Sequence, residues 1–122
     1  MKRLVLAAAA LCFVATSASA MTVAEFLAKA NALKAKGMMA AFSSDIGLLK
    51  SEMAGIAAAY RADIESARAA GRKPHSCPPP KGQTRMTSTD LLAELENIPV
   101  ARRGMSMKAA FYAIMLKRYP CR

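Results

Sequence analysis

The chain has 122 residues, with 18 lysines and arginines against 8 acidic residues and a net charge of +10 at neutral pH. That length fits one small domain with a modest core. One histidine and three cysteines supply no ligand spacing for a zinc centre, and no glycine-rich phosphate loop is present.

Residues 1–20 read as an export signal. Lys2 and Arg3 form a positive start, Leu4 to Val14 is an apolar run, and Ala18-Ser19-Ala20 is a small-residue cleavage site before Met21. The run is about eleven residues, too short for a bilayer that needs roughly 20, so no transmembrane anchor is expected in the mature chain, 21–122. Cys12 leaves with the leader, because bulky Leu11 precedes it where a lipoprotein has a small residue. Two basic residues leave as well, so 16 face 8 acidic ones and the mature charge is about +8. Such a balance favours acidic partners, anionic envelope polymers or lipid head groups; a solvated basic surface is the plainer alternative.

The elements of the mature chain follow in order. Thr22-Val23-Ala24-Glu25 is a capping box, and Val23, Phe26, Leu27, Ala30 and Leu33 share one helical face. The first helix is predicted from Val23 to Lys36, with Gly37 able to take the left-handed conformation that ends it. Met38 to Phe42 is a short apolar turn. Ser43 or Ser44 caps a second, longer helix whose stripe is Ile46, Leu49, Met53, Ile56, Tyr60, Ile64 and Ala67. The stripe is read as core in preference to a binding groove. Gly47 and Gly55 lower its helix propensity or permit close helix approach, Arg61 and Glu65 are placed to pair, and Gly71 ends it.

Residues 72–83 form a linker with four prolines, three of them consecutive, which favours a stiff extended chain. Thr87-Ser88-Thr89-Asp90 is a second capping box, Leu91, Leu92, Leu95 and Ile98 form the third apolar face, and Pro99 stops that helix. After the basic loop Val100 to Met105, Ser106 caps a fourth helix with Met107, Ala110, Phe111, Ile114 and Met115 on one side. The fold expected is all-α: a small four-helix domain. Cys77 precedes the third helix and Cys121 follows the fourth, so an antiparallel hairpin brings them together. A disulfide between them closes about 45 residues and contributes about 4 kcal/mol at most; export to an oxidising compartment favours it over two free thiols.

Catalytic chemistry has little footing here. His75 lies two residues from Cys77, but an oxidised cysteine is no nucleophile; an enzyme using Cys77 requires a free thiol. Arg102 and Arg103 form too small a cluster, without aromatic neighbours, to indicate nucleic acid. No metal or other cofactor is expected. Binding through two basic loops is what remains, with Lys73, His75, Lys81, Arg102 and Arg103 as candidate contact residues; a plain connector is the alternative for each loop.

The leader, Cys77-Pro78, the Thr87 to Leu95 helix, Pro99 in the turn and the terminal Tyr119-Pro120-Cys121 resemble the Tai-type immunity proteins of type VI secretion, also grouped as resistance-associated proteins. Gly47-Leu48-Leu49 is similar to a Gly-Leu-Leu stretch of that family. The resemblance implies a periplasmic helical protein, often a homodimer, that binds an amidase effector cutting peptidoglycan peptides and occludes its active site. Family members often carry further cysteines in the amino-terminal half and a Gly-Tyr motif in the middle helix; here Tyr60 stands between Ala59 and Arg61. The alternative function is a cationic envelope protein that binds anionic polymers or lipids non-specifically.

Overall fold

Thr22 begins the first helix, α1 (Val23–Lys36), as its pattern requires. The Thr22 hydroxyl accepts from the Glu25 N–H at 3.2 Å, and the Glu25 carboxylate accepts from the Thr22 N–H at 2.8 Å. Two of the backbone donors that a helix start leaves orphaned are thereby satisfied. Gly37 closes α1 at φ 56°, where a side chain would be strained. A six-residue 3-10 turn, Gly37–Phe42, then leads to α2 (Ser44–Ala69), capped by Ser43. At about 1.5 Å per residue, this helix is roughly 39 Å long. Gly71, at φ 68°, turns the chain out of it.

The structure is a computed structural model that describes residues 20–83 and 85–122. The leader from Lys2 to Ser19 lies outside the described residues. After the extended linker come α3 (Ser88–Glu96), with both halves of the Thr87–Asp90 capping box formed, and α4 (Met107–Arg118), capped by Ser106. The domain is all-α: among the described residues, β-structure is confined to an isolated bridge between Thr22 and Ser106. No described helix is long and apolar enough to cross a membrane.

The core is drawn from all four helices. Val23, Phe26 and Leu27 of α1 meet Ile56, Tyr60 and Ile64 of α2, Leu91 and Leu95 of α3, and Met107, Phe111 and Met115 of α4. Helix α1 is the common partner, packing against α2, α3 and α4, while α2 also packs on α4. Backbone hydrogen bonds stitch the entry of α1 to the loop before α4: Val23 N to Met105 O at 3.0 Å, Ala24 N to Arg103 O at 2.9 Å, and Met107 N to Met21 O at 2.9 Å.

The expected disulfide is formed: Cys77 and Cys121 lie 5.0 Å apart at Cα and are covalently joined. It does more than close a pair of helices, however. Helix α3 lies chiefly on α1, and α4 on α2 and α1, so the bridge fastens the end of α4 to the chain leaving α2. The small residues Ala110 and Ala113 help leave a groove of about 240 Å³ that Glu94, Ile98 and Lys117 also line. Lys117 spans it to Glu94 at 3.1 Å.

One of the two readings of the α2 glycines is excluded. A Cβ added at Gly47 or Gly55 would meet nothing within 4 Å, so neither glycine serves a close helix approach. Arg61 also reaches across to the linker and donates to the Pro79 carbonyl at 3.2 Å.

Candidate binding surfaces

The linker is built into the fold at Ser76. This residue is fully buried, and its hydroxyl shares a hydrogen bond with the Tyr60 hydroxyl from α2. The next N–H, that of Cys77, donates to the Tyr119 carbonyl at 2.7 Å. An aromatic cluster surrounds the tie. Tyr60 meets Phe111 and Tyr112 edge to face at centroid separations of 5.5 and 5.4 Å. The ring of His75 lies 5.4 Å from that of Tyr112. Burial, then the hydrogen bond to Asp63 and its charge, hold the Tyr112 phenol well above the usual tyrosine range, so it stays a neutral donor. Nothing in the linker's sequence singles out Ser76; its partner is sixteen residues away on another element.

The candidate contact residues fall into separate places. Lys73, His75 and Lys81 are exposed along the linker, as is Arg102 on the 3-10 turn Val100–Arg102. Lys81 lines a groove of about 590 Å³ with Arg61, Glu65 and Arg68, whereas Arg102 lines the groove between α3 and α4. Arg103 is half-buried and occupied: its guanidinium donates to the carbonyls of Ile98 at 2.9 Å and Glu96 at 2.7 Å. It closes the carbonyl end of α3, where a cation is favoured by the helix dipole and the orphan acceptors.

The residues flanking the expected cleavage point are described. Ala20 is exposed, and Met21 is half-buried against the core. The Met21 N–H donates to the Glu52 carboxylate at 3.2 Å. A cut after Ala20 turns this nitrogen into an ammonium facing that carboxylate, and a charged donor makes the stronger bond.

A third surface escaped the charge-based reading. An apolar groove of about 530 Å³ runs between α1, α2 and α3, lined by Phe26, Leu33, Ile46, Leu49, Met53 and Leu92 with Lys34 and Lys50. Leu33 and Ile46, in the end turns of α1 and α2, bring its wall to the Gly37–Phe42 turn, whose Met38, Met39 and Phe42 are exposed. The stripe of α2 is therefore core at Ile56, Tyr60 and Ile64 but groove wall at Ile46 and Met53.

The sulfurs of Cys77 in the linker and Cys121 beyond α4 are joined in the disulfide, and among the described residues no group of three or more His, Cys, Asp and Glu side chains could hold a metal. Compared with known proteins, the chain matches no family model, no curated protein and no solved structure.

Proposed function

We propose that the chain is an exported, periplasmic binding protein that neutralises a peptidoglycan amidase effector by occluding its active site, as the Tai-type immunity proteins it resembles do. The observation that carries this reading is the Cys77–Cys121 disulfide. A bridge of this kind persists in oxidising compartments, and it joins the Cys-Pro and Tyr-Pro-Cys ends on which the resemblance rests. The basic linker and the Arg102 loop are each anchored to the helices, by Ser76 on one side and Arg103 on the other. Anchored loops lose less entropy on docking. Their charge steers an acidic partner and raises the association rate more than the final affinity.

The exported chain, immobilised with its disulfide intact, is expected to capture a peptidoglycan hydrolase from an envelope extract and to stop that hydrolase from releasing peptides. Charge reversal at Arg102 and Lys73 should slow association, most visibly at low salt. Repeated capture of no hydrolase, or capture without inhibition, overturns the proposal. Binding to envelope material that collapses at moderate ionic strength favours the cationic-polymer alternative.

A further inference from the structure

The turn joining α1 and α2 is an apolar tip that no described residue covers. Met38 is 95 % exposed, Met39 66 % and Phe42 85 %, and the six-residue turn Gly37–Phe42 buries none of its residues. Its sequence, Gly-Met-Met-Ala-Ala-Phe, has no charged or polar side chain. Single exposed apolar residues are ordinary, but three large ones on one turn mark an interaction site.

The surroundings are basic. Lys29 is neutralised by Asp45 at 3.2 Å, and Lys34 lies 3.9 Å from Glu96. Lys36 leans back over the turn to the Ser43 hydroxyl at 3.4 Å, and Lys50 lines the adjoining groove. Four lysines thus face two carboxylates around the tip.

We propose that this tip docks the protein on an anionic bilayer. Met38, Met39 and Phe42 enter the boundary between head groups and acyl chains, and Lys34, Lys36 and Lys50 meet the lipid phosphates. Apolar insertion combined with a basic rim supplies the two signals that stable peripheral attachment needs. Charge argues against a second copy of the chain, since joining two such faces brings identical lysines together on an exported chain of net charge about +8. An exposed turn with flexible methionines needs no matching cavity, which suits a fluid acyl layer better than a preformed protein groove. The proposal is independent of the occlusion reading; a protein that docks on a membrane can bind an effector or not.

The chain contains no tryptophan, so Phe42→Trp places a single indole at the tip. The exported chain carrying it is mixed with vesicles of phosphatidylglycerol and phosphatidylethanolamine, and with phosphatidylcholine vesicles for comparison. Indole emission should shift to shorter wavelength and lose access to an aqueous quencher only with the anionic vesicles. The pair Met39→Ser and Phe42→Ser, otherwise wild type, should weaken vesicle binding by at least about tenfold, given the apolar area withdrawn. Lys34→Gln with Lys36→Gln should weaken it less and flatten its salt dependence. Circular dichroism checks that these exposed substitutions leave the helices intact. Failure to bind anionic vesicles, unshifted emission, or equal binding by the serine pair overturns the proposal. A dimer in solution that the serine pair dissolves, without vesicle binding, assigns the tip to a second copy instead.

Discussion

The two ends of α2 are held in opposite ways. At its carboxyl end, the exiting chain is fastened by the Cys77–Cys121 bridge, the Tyr60–Ser76 hydrogen bond and three aromatic rings in contact. At its amino end the chain turns through Gly37–Phe42 with no residue buried, beside a groove whose apolar walls stay open. One end spends its apolar and covalent resources on order; the other leaves apolar surface unspent. The contrast separates where the fold is secured from where contact with something outside the chain is available.

Opening the secured end should have the largest effect. Replacing Cys77 and Cys121 together by serine releases a loop of sequence separation 44, with a loss of up to about 4 kcal/mol, read as a lower urea midpoint. Tyr60→Phe removes the shorter of the two hydrogen bonds of the buried Ser76 hydroxyl, leaving His75 Nδ1 at 3.3 Å, and should cost about 1 kcal/mol; adding Ser76→Ala should recover part of that loss, and full additivity of the two would show that the hydrogen bond is not the cause. Helix α3 forms one wall of the open groove, and Thr87→Ala should cost about 1 kcal/mol, with faster amide exchange in its first turn. Hydrogen bonds from the Thr87 backbone and hydroxyl hold the Asp90 carboxyl below the ordinary value of 3.8. Its contribution is therefore full above that value and is lost as the pH falls through the lower folded one, so exchange at that turn should rise in acid. Met39→Ser and Phe42→Ser should move the melting free energy by no more than about 0.5 kcal/mol each, because both side chains already face water. A large loss there would mean the tip is packed and would erase the contrast.

Much of this architecture was legible in the residues. The capping boxes at Thr22 and Thr87 and the cap at Ser106 place three helix starts, since caps are local chemistry between residues three apart. The buried face of α4, from Met107 to Met115, follows from spacing alone. The candidate surfaces were less accessible. Arg103 looks like half of an exposed basic pair, yet it caps α3, because only the folded loop brings its guanidinium to the Glu96 and Ile98 carbonyls. Met38 to Phe42 is apolar in sequence, and apolar character cannot say whether another element lies on top.

By itself, then, the sequence determined the helices, their starts, and the placing of Cys77 and Cys121 at the outer ends of the last two helices, because these depend on periodicity, local hydrogen bonds and counting. Tertiary structure alone decided that α1 is the common partner of the other helices and that the disulfide ties α4 to the exit of α2. It also decided that Ser76 is core and the Gly37–Phe42 turn is surface. Those outcomes depend on which faces meet across long sequence separations, and burial is a property of the assembled packing, not of any residue's own chemistry.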